Sequence, residues 1–369
     1  MTHPRESKFE LMRIFAMLLI VAQHAIERGS GIDEWSVLKE RGTPLRFVSA
    51  SLLGSWGQIG VILFVIITAW FSAEQKGIRS SKAIVIALQS WLTSLAVTAA
   101  VFIIKPSVIS GSIILKEGIT PVFQQYWFVT TFLAFYLMLP LLQKLVSGIS
   151  EHSLGFICLI LTPLIPLYNY LWQNVGGALA DFIYIFLLTV YLKRKENNWF
   201  ERNRRLAILG ILLLEGLIIT LRLTFTYLLP GHENGFIALY QNLRGRTVLT
   251  IGVPFLIFYC FKHSRIQYHK WINIVGKATF GIYLLHENML LRVINGEPSL
   301  LWSGIFHIDW WYANSNFAGL VHIAAAVTIL IVCIPGALLI EKVAEKLLIK
   351  PVKSVCEKFD REYMRIFGE

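Results

Sequence analysis

Charge is the scarcest ingredient of this chain. Only 15% of its 369 residues are Asp, Glu, Lys or Arg, while 55% are apolar. A soluble domain carries about 25% charged residues, so the composition excludes an ordinary water-soluble protein and implies a polytopic membrane protein. Cysteine is also scarce. The four present, Cys158, Cys260, Cys333 and Cys356, are far apart, which excludes a disulfide framework and the ligand spacings of a metal centre. Cys260-x-x-His263 has no second half, so no metal is expected. Acidic residues number 23 against 34 basic ones, a formal charge of +11. No RNA- or DNA-binding motif accompanies that excess, and the basic residues fall in alternate short loops, so nucleic acid is not an expected partner. Repeats, low-complexity stretches and a separate soluble domain are absent from the sequence.

What is present is a series of apolar runs. Ten stretches have about the length needed to cross a bilayer: 9–27, 57–75, 82–104, 126–146, 154–171, 176–192, 206–229, 246–262, 272–291 and 317–341. The spacing predicts an all-α integral membrane protein, a bundle of about ten transmembrane helices. One set of connections is basic: Arg5 and Lys8 at the start, Lys76, Arg79 and Lys82, Lys144, 193–205, 262–270, and the tail. The other set, 28–56, 105–125, 168–173, 230–245 and 292–316, is nearly balanced in charge and richer in Gly, Pro and Trp. The positive-inside rule then predicts that both termini are cytoplasmic. Residues 1–345 form the transmembrane domain, and 346–369 read as a basic amphipathic tail on the inner membrane surface.

The first span is unusual. Arg13 and His24 lie within Leu11–Ile26, and ionisable groups at bilayer depth usually face a bundle interior or a watery cavity. Eleven positions bring both residues to one helix face and separate them by about 16 Å along the axis. Arg13 interrupts the apolar run and no A-x-A cleavage site follows, so the segment reads as a retained span, not a signal peptide. Ser7-x-x-Glu10 reads as a capping box at its start.

Several polar residues are candidates for chemistry. His24 can act as a general base, with Glu27 one turn further on to orient it; both can also simply mark the outer interface. Arg13 can bind a phosphate or pyrophosphate group from the cytoplasm, or snorkel to headgroups. Lys76 and Arg79 carry the same two readings. Glu215 and Arg222 share a face of the seventh span, where an ion-pair network with Asp181 or Arg246 is the simpler role and substrate contact the other. His286 and Glu287 shape a polar cavity or cap the ninth span. Trp310, Trp311 and Tyr312 form a sugar-stacking surface or part of an interfacial aromatic belt.

Four blocks, in order, resemble one family. Arg13 and His24 match its Arg, ten residues, His signature, and Gly60–Trp70 echoes its second-span block. Tyr126-Trp127-Phe128 with Leu139-Pro140-Leu141-Leu142 resembles its fourth helix, and Thr279–Asn288 its Phe-Gly-Val-Tyr-Leu-Ile-His segment. The chain is thereby similar to the acyltransferase-3 family of membrane O-acyltransferases, of the polysaccharide O-acetyltransferase type, over nearly its whole length. Thr68-Ala69 departs from the family's Ser-Gly, and Ile62 stands where a polar residue is often found.

The resemblance implies a multi-pass enzyme of the cell membrane, bacterial, that moves an acetyl group from cytoplasmic acetyl-CoA to a hydroxyl of a cell-surface or lipid-linked glycan. It implies His24, with Glu27, as catalytic and Arg13, Lys76 and Arg79 at the donor. Trp127, Arg222, Tyr283, His286 and Glu287 then line the acceptor side or the cavity. The competing expectation is a translocator of glycans or lipid-linked sugars without acyl transfer. A scaffold for a polysaccharide synthesis complex would leave Arg13 and His24 without a role.

Overall fold

The computed structural model describes residues 6–29, 43–73, 81–119, 126–171, 177–195, 203–228, 248–292, 301–346 and 350–367. Among them there is no strand. Helices of 15 residues or more overlap each of the ten apolar runs. They are α1 (Ser7–Gly29), α2 (Pro44–Ser72), α3 (Ser81–Ile104), α5 (Trp127–Ser147), α6 (Glu151–Leu171), α7 (Gly177–Arg194), α8 (Arg204–Leu223), α9 (Val248–Lys262), α10 (Lys270–His286) and α13 (Ala318–Ala344). Shorter helices are α4 (Gly111–Ile119), α11 (Met289–Arg292) and α12 (Ile308–Asn314), and α14 (Lys350–Phe367) forms the tail. Five of them, α1, α2, α3, α5 and α13, are long and apolar enough to cross a membrane.

Helix α2 begins thirteen residues before the expected 57, inside what read as a loop (57 − 44 = 13). The signal overlooked was Thr43-Pro44. The Thr43 hydroxyl accepts from the Arg46 amide at 3.4 Å, and Pro44 occupies the first turn, where its missing N–H costs nothing. Arg46 then reaches across to the end of α12, donating to the Tyr312 carbonyl at 3.2 Å and to that of Ala313. The capping box at Ser7 is also not formed as expected. Ser7 instead accepts from the His269 amide at 2.7 Å and donates to Asn273 at 2.9 Å, while Glu10 pairs with Arg13.

Helix α1 packs against α2, α9, α10 and α13 and is the centre of the bundle. Its contact with α2 is close because α2 offers glycine there. A Cβ on Gly60 would collide with the Ala16 carbonyl and Ile20, and one on Gly57 with Gln23. Small residues let helices approach closely where lipid removes the hydrophobic driving force. The hydroxyls of Ser90, Thr93 and Thr98 in α3 are buried and satisfied by donating to carbonyls one turn back. Large apolar side chains on the outside, such as Ile103 and Ile104 of α3 and Leu212 and Leu213 of α8, are exposed, as a lipid-facing surface requires.

Candidate active site

Helices α1 and α10 run parallel and in step. Near their starts Ser7 bonds to His269 and Asn273; near their ends His24 meets His286. Seventeen residues separate the partners on each helix (7 to 24, 269 to 286), about 25 Å of rise. The contact between Glu10 and Gly276 keeps them close, since a Cβ on Gly276 would strike Glu10.

At the far end His24 Nδ1 lies 3.0 Å from His286 Nε2 and 3.1 Å from Glu287 Oε2. His286 Nδ1 lies 2.7 Å from the Ile282 carbonyl. A carbonyl only accepts, so His286 carries its proton on Nδ1, and in the neutral ring Nε2 is an acceptor. His24 Nδ1 must therefore donate to His286 Nε2, with the Glu287 carboxylate beside it at ion-pair distance. That assignment leaves His24 Nε2 with a free lone pair, the form a general base needs. Arg28, one turn beyond His24, donates to Glu287 Oε1 at 3.5 Å and supplies the counter-charge for this nearly inaccessible carboxylate.

The end of α10 is fixed by a further set of bonds. The Tyr126 hydroxyl donates to the Leu284 carbonyl at 2.9 Å and accepts from Asn288 Nδ2 at 3.1 Å. Asn288 Oδ1 caps the next turn by accepting from Leu290 N at 3.0 Å. Tyr126 and Asn288 are fully buried, so His286 and Glu287 sit on a segment with little freedom.

His24 also lines an elongated cavity of about 320 Å³, a volume in the range of small-molecule sites. Its wall includes Arg13, Lys82, Lys277 and Glu341 toward the starts of α1 and α3 and the end of α13. Trp127, Phe128 and Tyr283 line it nearer His24. Arg13 pairs with buried Glu10, and Lys277 with Glu341 at 2.6 Å. One tunnel thus connects a cluster of cations to an imidazole. A second small cavity, about 20 Å³ and room for one water, lies between Gln58 and Asp181 and shares Val61 and Trp127 with the tunnel.

The expected residues are distributed as follows. Arg13, His24, Trp127 and Tyr283 line the tunnel, and His286 and Glu287 contact His24 directly. Glu27 accepts from Gln23 at 2.5 Å; the carboxylate that holds His24 Nδ1 is Glu287, brought by another helix. Lys76, Arg79, Arg246 and the side chain of Arg222 lie outside the described residues, and with them the network expected around Glu215. Trp310 is exposed and packs edge-on against Trp311, while Tyr312 is buried beside His322. Sequence reasoning counted Lys82 only as inner-loop charge and passed over Lys277. Donor atoms of His24, His286 and Glu287 lie within 4.8 Å of one another, close enough to ligate a cation. Their bonds to one another and to Arg28 meet the same charge requirement.

A family model described as an acyltransferase domain, Acyl_transf_3, matches residues 6–341. No curated protein and no solved structure matches the chain. The matched region contains the whole tunnel and both histidines but stops before α14. The chain belongs to the acyltransferase-3 family and is a membrane acyltransferase.

Proposed function

We propose that this protein is a membrane O-acetyltransferase that takes acetyl from cytoplasmic acetyl-CoA and places it on a hydroxyl of a cell-surface or lipid-linked glycan. In this reading the ten long helices cross a bacterial plasma membrane, with both termini in the cytoplasm. The single observation that carries the reading is the tunnel, which has Arg13 in its wall near one end and His24 near the other.

Arg13, Lys82 and Lys277 hold the phosphate-bearing end of the donor at the inner mouth, where charge-assisted bonds to phosphate are strong. The thin arm of the donor lies along the tunnel and spans the rise of about 16 Å between Arg13 and His24. At the outer end His24 Nε2 takes the proton of the acceptor hydroxyl as its oxygen attacks the thioester carbonyl. The ester C–O bond forms, the C–S bond breaks, and the departing sulfur takes the proton back from Nε2. His286 accepts from Nδ1 throughout, and the nearby Glu287 carboxylate stabilises the transient imidazolium by its charge. Transfer of the acetyl group first to Nε2 and then to the hydroxyl uses the same atoms. No metal takes part in either route.

The test compares alkali-labile ester on surface glycan from cells with and without the protein, by mass spectrometry. One acetyl unit per modified residue, lost without the protein, is the expected result. Unchanged ester content together with altered glycan export would identify a translocator instead.

A further inference from the structure

The family match ends at residue 341, yet the tail beyond it bonds to the residue next to a cation of the tunnel wall. Asp360 of α14 accepts from both the backbone N–H and the hydroxyl of Ser81, each at 3.1 Å. Ser81 is the first residue of α3, and its neighbour Lys82 lines the tunnel. The first turn of a helix has N–H groups without intrahelical partners, normally met by a local side chain. Here the carboxylate that meets one comes from a helix about 280 residues away (|i−j| = 279).

Helix α14 is itself suited to a membrane surface. Val352, Val355, Phe359, Tyr363 and Ile366 recur at helical spacing, and Val355 and Phe359 are exposed. Lys350, Lys353, Lys358, Arg361 and Arg365 fall on the remaining faces. An apolar stripe flanked by basic residues binds the interface of an anionic leaflet.

We infer that α14 is a strap, held on anionic lipid, whose Asp360 fixes the first turn of α3 and so positions Lys82 at the donor mouth. Asp360 is a positioning residue: it acts on the donor only through α3. Lipid charge thereby sets donor affinity. The inference rests on the assignment of the tunnel to acetyl-CoA.

The test measures equilibrium binding of acetyl-CoA to the full chain in nanodiscs, with neutral lipid or with about a third anionic lipid. Anionic lipid is expected to tighten binding several-fold in the wild type. Asp360→Ala is expected to weaken binding about three- to tenfold and to abolish the lipid effect, with kcat at saturating donor within twofold. Asp360→Asn, which still accepts from an N–H, is expected to recover most of the affinity. Lys82→Ala should weaken binding by at least as much, and the double variant should be no worse than Lys82→Ala alone. Unchanged binding in Asp360→Ala, with Lys82→Ala impaired, overturns the strap and leaves the tunnel assignment standing. Unchanged binding in Lys82→Ala and in Arg13→Ala alike would overturn both.

Discussion

The two ends of the tunnel are built on different principles. At the outer end, His24 is bonded to His286 and sits beside Glu287, Glu287 is paired with Arg28, and the α10 terminus beneath them is fixed by Tyr126 and Asn288. At the inner end three long cations share the wall, and two are part-neutralised by carboxylates, Glu10 and Glu341. Proton transfer requires one tautomer at one distance, and a buried network of fixed bonds supplies it. Phosphate binding tolerates flexible partners, because several donors converge on several oxygens. The contrast predicts that outer-end changes act on kcat and inner-end changes on donor affinity.

The sharpest break of that contrast is His24→Ala. Loss of a general base costs about 10²- to 10⁴-fold in rate, and glycan acetylation should fall accordingly while acetyl-CoA binding stays within a few-fold. Full ester content in cells carrying His24→Ala, measured by mass spectrometry, would remove the catalytic assignment. Next in size is Glu287→Gln. The amide keeps the shape of the carboxylate but not its charge, so it occupies the same place beside Nδ1 while stabilising the imidazolium less. A fall in kcat of about tenfold or more, with the donor KM unchanged, is expected from the loss of the counter-charge beside the imidazolium. A chelator should leave the wild-type rate unaltered, because the proton on Nδ1 already occupies the place a cation would take; loss of activity restored by added zinc would reverse that assignment.

How much of this was legible in the sequence follows from the range of each interaction. The Arg13–His24 pair was legible because helix geometry alone relates residues eleven apart. The partner of His24 was not. Glu27 was the local choice, but its carboxylate bonds to Gln23, and the carboxylate at Nδ1 comes from residue 287. His286 and Glu287 were recognisable as cavity residues; that they meet His24 depends on α1 and α10 running parallel and in step, which Ser7 helps to fix by bonding to another helix instead of capping its own. The N-terminal extension of α2 was readable from Thr43-Pro44 but was masked by a loop-like composition. Lys277 gave no signal because a single lysine near a helix start looks like ordinary inner-leaflet charge.

At the inner end, Arg13→Ala should raise the donor KM about tenfold and change kcat little, since one charge-assisted contact is worth about 1.5–3 kcal/mol. A mainly kcat effect would mean that Arg13 supports the site through Glu10 and not through the donor.

The smallest effect expected is also the most specific. Glu341 holds Lys277 at 2.6 Å, but the pair is partly exposed, with side-chain accessibilities of 25% and 47%. Exposed pairs contribute about 0–1 kcal/mol, so Glu341→Gln should leave folding intact. Its consequence for binding has the opposite sign to that of Arg13→Ala: it removes a negative charge from the tunnel wall and frees Lys277 for the donor phosphates. A donor KM lowered about two- to threefold at low salt is therefore expected, with the gain fading as ionic strength rises. Lys277→Ala should raise the same KM, and in the double variant Glu341→Gln should confer less of its benefit, since part of that benefit acts through Lys277. If Glu341→Gln instead weakens the donor, the carboxylate is positioning Lys277, not competing for it, and the inner end is more tightly specified than its flexible side chains suggest.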